Sequence, residues 1–219
     1  MTLSHPDIIN RTKTFVQYTL MNESTGHDYW HSIRVFELAS HIAKKENVTS
    51  SLTIELAALL HDIDDWKFAN SNQPRRAQEF LDSLALDQNI IANINQIINN
   101  ISFKGALTER PTLTIEGQIV QDADRLDALG AIGIARTFAY GGHKNRSLYD
   151  PEIPSSLHKS FAEYKNNNSS TINHFHEKLL LLKDLMNTAT AKKIASERHK
   201  FMGTFLARFL AEWNMKELI

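Results

Sequence analysis

Apolar residues recur at spacings of three and four along nearly the whole chain, and no convincing period-two alternation accompanies them. The pattern predicts an all-α protein. A first amphipathic stretch covers residues 7–21, and Thr25 with Asp28 resembles a capping pair opening a second helix that runs to about residue 46. A third helix is expected over roughly 51–64, and Pro74 suits the first turn of a fourth over 74–85. "DQNIIANINQIINNISF" supplies the next, ending near "FKG". "TLTIEGQIVQDADRLDALGAIGIARTFAY" reads as one long helix over 112–139. Its glycines at 130 and 133 cost up to about 1 kcal/mol each relative to alanine, which points to close packing there. A loop over 141–154, "GGHKNRSLYDPEIP", is long enough to suggest a functional role. A short helix near 155–164, a polar linker "KNNNSS" and two helices over 171–187 and 189–213 complete the pattern. No internal repeat is present. The linker is the one plausible boundary, and the two amphipathic helices after it are expected to pack back, giving a single domain over 1–219.

Composition narrows the classes. A chain of 219 residues with 42% hydrophobic content can bury a conventional core. The balance of 24 Lys+Arg against 25 Asp+Glu gives no electrostatic case for a general nucleic-acid binder. Zero cysteines exclude disulfides, thiolate metal sites and cysteine nucleophiles, and fit a reducing cytosol. Neither a signal-peptide core nor a run of about 18 apolar residues is present, so a cytoplasmic protein without a membrane partner is expected. The oligomer is open, a homodimer among the choices.

Against that background "AALLHDIDDWKF", residues 57–68, is unusual: a core-like helix runs straight into His61, Asp62, Asp64 and Asp65. Buried carboxylates cost several kcal/mol unless they are paired or bind a cation. Adjacent helical residues point about 100° apart, so His61 and Asp62 can reach one ion only where the helix is ending. A solvated helix terminus is the plainer reading, although acidic residues at a helix C-terminus oppose the macrodipole. His31 lies on the same stripe as Val35, Leu38 and Ile42, which also suits a hydrogen-bonded core histidine. In "DADRLDA", Asp124 and Asp127 share a face with Val120 and Ala131 while Asp122 falls away from it. A structural salt bridge to Arg125 would serve there too.

The combination is more specific than its parts. A histidine, an adjacent His-Asp pair 30 residues later and an aspartate in a later helix resemble the HD-domain family of metal-dependent phosphohydrolases. The pattern matches at "HSIRV" (His31), "LLHDIDD" (His61 and Asp62) and "DADRLDA" (Asp124). The similarity covers roughly residues 25–140 and looks closest to the small bacterial branch that includes nucleotide pyrophosphohydrolases. The resemblance implies a helical bundle in which His31, His61, Asp62 and Asp124 hold one divalent ion, leaving positions for water and a substrate oxygen. Mn²⁺ is the first choice, and Mg²⁺, Fe²⁺, Co²⁺ or Ni²⁺ suit the same mixed donors. Family members with two metals use extra histidines between the HD pair and the last aspartate, and residues 63–123 contain none. Asp65 stands where several family members carry a glutamate that orients or deprotonates the attacking water, with Asp64 as substitute.

Phosphate binding needs cations around the ion. Arg125 matches a position where the family often places one, and Lys67 closely follows the HD pair. Lys104, Lys144 and Lys178, with His143 and Arg146, are further candidates, each of which also reads as ordinary surface charge. The expectation is a phosphohydrolase acting on a small phosphorylated substrate, foremost a nucleoside triphosphate. A 5′-nucleotidase or other phosphomonoesterase is the rival of like chemistry, and a non-catalytic nucleotide- or metal-binding regulator the rival of another class.

Overall fold

A computed structural model describes residues 3–21, 23, 26–49, 52–64, 76–103, 111–157, 160, 162–163 and 169–216; among them are helices and turns and no strand. The all-α expectation holds. The chain divides into two compact units, Met1–Phe103 with Glu109–Asp124, and Lys104–Thr108 with Arg125–Ile219.

The first unit is built on α1 (His5–Thr19), α2 (Tyr29–Lys45), α3 (Leu52–Leu60), α4 (Arg76–Ser83) and α5 (Gln88–Ile101). Most of α6 (Ile115–Asp127) completes it, the division falling after Asp124. Helix α3, "LTIELAALL", is apolar nearly all round, so it is stable only inside. It packs against α1, α2 and α5. Each neighbour offers a buried stripe at helical spacing: Ile8, Thr12 and Val16 on α1, His31, Val35, Ala39 and Ile42 on α2, and Ile91, Ile94, Ile97 and Ile101 on α5. None of the described helices is long and apolar enough to cross a membrane.

Several boundaries differ from the sequence expectation. Ser4 caps α1, which begins at His5 with Pro6 in its first turn. Asp28 caps α2 by accepting from the His31 N–H at 2.8 Å, so that helix starts at Tyr29; Thr25 lies outside the described residues. Helix α3 stops at Leu60 rather than 64, and His61 to Asp64 form a turn in which the Ile63 N–H donates to the Leu60 carbonyl at 3.1 Å. Pro74 also lies outside the described residues.

The single long helix expected over 112–139 is two helices, α6 and α7 (Gly130–His143). Helix α6 closes with tightened bonds from Ala128 N–H to the Arg125 carbonyl and from Leu129 N–H to the Leu126 carbonyl. Gly130 then takes φ +73°, a left-handed conformation that any side chain would strain. Arg198 lies against it and donates from Nη1 to the Leu126 carbonyl at 2.5 Å, satisfying an acceptor at the helix end. Gly133 is needed for a different reason, because a Cβ there would meet the Ala128 carbonyl oxygen at 2.2 Å. Apolar periodicity continues on both sides of this break, which is why the pattern conceals it.

The second unit also contains α8 (Thr171–Glu177), a 3₁₀ helix (Leu179–Leu185) and α9 (Ala189–Trp213). The α-helix expected over 171–187 is therefore interrupted at Lys178, whose φ −139° and ψ −61° are not helical. The helix expected over 189–213 is observed at those bounds. Of the short helix expected near 155–164, residues 155–157 and 160 are not helical and 162–163 are; 158, 159, 161 and 164, with 165–168 of the linker, lie outside the described residues. Helix α7 runs through His143, so the loop expected from 141 starts at Lys144. Phe138, Phe175, Phe205 and Phe209 pack their rings with centroids 5.9–6.5 Å apart in this unit, Phe175 fully buried and the others half-buried.

Gly130→Ala is expected to destabilise the protein by about 1–2 kcal/mol, the cost of a left-handed residue with a Cβ, in chemical denaturation. Gly142→Ala, in open space within α7, should be neutral or mildly stabilising. Equal effects would show that backbone conformation at Gly130 is not what breaks the helix.

Candidate metal centre

Three elements of the first unit bring polar groups together inside an apolar surround. The first turn of α2 supplies His31, pinned by its Asp28 cap. The turn that ends α3 supplies His61 and Asp62, flanked by the fully buried Leu60 and Ile63. Asp124 comes from α6. Nε2 of His31 stands 3.1 Å from Nε2 of His61, 3.3 Å from an Asp62 oxygen and 3.5 Å from an Asp124 oxygen. Nε2 of His61 stands 3.4 Å from Asp62 and 3.7 Å from Asp124. Two donors about 2.1 Å from one ion at right angles are roughly 3 Å apart, so these separations suit the edges of a coordination polyhedron.

The ring protons fit the same purpose. Nδ1 of His61 lies 2.8 Å from the Ala58 carbonyl and must donate to it, which leaves the Nε2 lone pair facing the cluster in the neutral ring. Two imidazoles and two carboxylates form a donor set that suits a mid-row divalent cation. The His31 side chain is fully buried, those of His61 and Asp62 nearly so, and Asp124 is 28% exposed. Solvent reaches the group past Asp124.

The charged groups of the cluster shift one another. Burial alone would raise Asp62, but the imidazoles of His61, His27 and His31 outweigh it and hold the carboxyl well below the usual range. Asp124 behaves alike, burial being overcome by hydrogen bonds and attraction from His31 and His61. Burial would lower His61, yet Asp62 and Asp124 together raise it above its ordinary 6.5.

Helix capping and packing engage several other residues that the sequence singles out. Asp64 accepts the backbone N–H groups of Arg76 and Ala77 at 3.1 and 3.0 Å, fixing the start of α4. Arg125 is buried and donates from Nη1 to the Leu185 carbonyl in the second unit. Asp127, also buried, pairs with Nη1 of Arg136 at 2.9 Å. Asp122 is fully buried and stands outside the donor cluster. Lys144 and Lys178 belong to the second unit, Lys144 exposed with Nζ over the Tyr140 ring at 5.7 Å and Lys178 at the end of α8. His143 is exposed at the end of α7, and the Arg146 guanidinium lies 5.9 Å from the Tyr140 ring. Asp65, Lys67 and Lys104 lie outside the described residues.

Sequence reasoning missed His27. Its Nδ1 is 2.7 Å from Oδ2 of Asp62, and its ring meets that of His31 edge-on at 5.4 Å. Donor atoms of His27, His31 and Asp62, and separately of His31, His61 and Asp124, lie within 4.8 Å of one another. The available signal was its place four residues before His31 in "GHDYWH", hidden because His27 precedes the helix cap.

The shifts fix the direction of pH effects in metal-free protein. His61, being raised, contributes stability that is complete below about 6.5 and lost as pH rises through its folded value. Asp62 and Asp124, being lowered, contribute stability present above their unfolded values and lost as pH falls through the folded ones. Between pH 6 and 8 the Tm of EDTA-treated protein should therefore fall, whereas stabilisation by Mn²⁺ should grow as His61 gives up its proton. His61→Asn should flatten the first trend, and a slope unchanged by that substitution would assign it elsewhere.

Comparisons with known proteins place the chain in a family. Residues 29–129 match the model of the HD domain family. A Bacillus subtilis protein, YpgQ, is 41% identical over 199 residues, covering 89% of this chain and 88% of its own. The crystal structure of YpgQ in complex with ADP superposes with a TM-score of 0.75 at 36% identity, covering 97% of this chain and 96% of that one. A Bacillus thuringiensis HD-superfamily hydrolase does so with a TM-score of 0.72 at 40% identity, over 96% and 99%. With a histidine pair and two carboxylates gathered at the end of α3, the chain belongs to the HD-domain family of metal-dependent phosphohydrolases.

Proposed function

We propose that this hydrolase cleaves nucleoside triphosphates at the α-phosphorus, releasing a nucleoside monophosphate and pyrophosphate, with one Mn²⁺ per chain. The observation that carries the hydrolytic chemistry is the cluster of His31, His61, Asp62 and Asp124. The nucleotide preference is supported by the ADP complex of YpgQ, since a site in a similar chain accommodates a base, a sugar and linked phosphates. When bound, a divalent cation polarises a phosphoryl oxygen and acidifies a water.

The chain's own residues then have separate tasks. His61, with its Nδ1 proton committed to Ala58, keeps Nε2 available and its ring orientation fixed. Asp65 orients the attacking water and takes its proton. Asp64 is the weaker candidate because both its oxygens already hold backbone N–H groups of α4. Lys67 offsets charge that develops on the departing pyrophosphate, the differential stabilisation that lowers a barrier. Arg125, committed to the Leu185 carbonyl, ranks behind it, and Lys104, Lys144 and Lys178 remain further phosphate-contact candidates.

With Mn²⁺, a panel of nucleotides should yield monophosphate and pyrophosphate by chromatography, and EDTA should abolish turnover. Orthophosphate from monophosphates alone would transfer the assignment to a phosphomonoesterase. Failure to turn over any phosphate ester would favour a nucleotide-binding regulator.

Asp65→Asn is expected to lower kcat by about 10²-fold or more with metal content unchanged. Asp64→Asn should instead act mainly on Tm through the start of α4. A kcat unaffected by Asp65→Asn would remove that residue from the reaction.

A further inference from the structure

His27 is the one member of the polar group for which the coordination reading has no task. It lies ahead of Asp28, the α2 cap, and just before the stretch that matches the HD domain model. Its side chain is 18% exposed, so solvent could satisfy the ring without Asp62. Even so, Nδ1 meets Oδ2 of Asp62 at 2.7 Å, an ordinary hydrogen-bond length shorter than any Nε2 separation within the four-residue cluster. The other oxygen, Oδ1, is the one nearest Nε2 of His61. The edge-on contact with His31, on the first turn of the same helix, limits how the His27 ring can turn.

We propose that His27 is a positioning residue for the metal site, its Nδ1 proton fixing Oδ2 of Asp62 so that the carboxylate cannot rotate away from His31 and His61. This rests on the metal-centre reading. Asp62 belongs to a turn rather than to a helix, and an outer hydrogen bond of this kind restrains the orientation of its carboxylate. The proposal separates His27 from the ligands: it holds a ligand and does not bind the ion.

Mn²⁺ binding to the full chain, measured by calorimetry and by pulsed EPR, tests this. His27→Ala should weaken Mn²⁺ affinity about 10- to 100-fold, the range for lost outer-shell partners. His27→Asn, whose amide N–H can replace Nδ1, should recover most of the loss. The EPR count of coordinated imidazole nitrogens should be two in the wild type and in both variants. A count that drops by one in the His27 variants would make it a ligand and overturn the proposal. Unchanged affinity in both variants, or equal losses without rescue by Asn, would also overturn it while leaving the metal centre standing. A wild-type chain that fails to bind Mn²⁺ or any divalent ion of the same series would overturn the metal reading and the proposal with it.

Discussion

Asp62 is a carboxylate held inside a hydrophobic core, and the architecture around it follows from how that charge is satisfied. Leu60 and Ile63 on either side are fully buried, so the chain cannot swing Asp62 into water without pulling its flanks from the core. An unpaired carboxylate there would cost several kcal/mol. Imidazoles of His27, His31 and His61 approach it instead. Histidine is suited to this because it donates a hydrogen bond when one nitrogen carries the proton and offers a lone pair on the other. The raised His61 and the lowered Asp62 and Asp124 describe imidazoles and carboxylates that stabilise one another's charged forms against burial.

Placement of the group is a packing result before it is a chemical one. Helix α3 must be enclosed because its sequence is apolar almost throughout, and α1, α2 and α5 enclose it. Its end is thereby delivered to the first turn of α2, where Asp28 caps the helix and sets His31. Ending α3 at Leu60 frees His61 and Asp62 from the 100° spacing of adjacent helical residues, and both reach the same point. Asp64 then uses its carboxylate on the next helix, so one acidic turn serves both the cluster and the start of α4.

The parts of this arrangement legible in the sequence were those with a local signature. "LLHD" combined an apolar run with donors at its end, and His31 and Asp124 completed a spacing too specific for chance surface residues. Helical periodicity located most elements of the first unit and the long α9. It could not show the break at Gly130, because apolar residues keep their helical spacing through it, and a left-handed φ, tightened hydrogen bonds and the Arg198 contact mark the turn. Asp64 looked chemically like Asp65, and nothing local distinguishes a carboxylate that caps a helix 12 residues onward. Arg125 stands beside Asp124 in sequence, and nothing local shows that its Nη1 bonds the Leu185 carbonyl 60 residues away. His27 was missed since periodicity speaks only for residues inside helices.

Exposure gives the site a direction. The His31, His61 and Asp62 side chains are closed off by core and by one another, while Asp124 retains 28% of its exposure. Of the four clustered side chains Asp124 is the most open to solvent, and the two histidines lie on the enclosed side. This separation is physically useful, because side chains sunk in a close-packed core hold their geometry. All four donors and His27 also lie within residues 27–124 of the first unit. Among the described residues that unit thus supplies the whole cluster, by core packing around α3 on one side and a hydrogen-bonded carboxylate on the other.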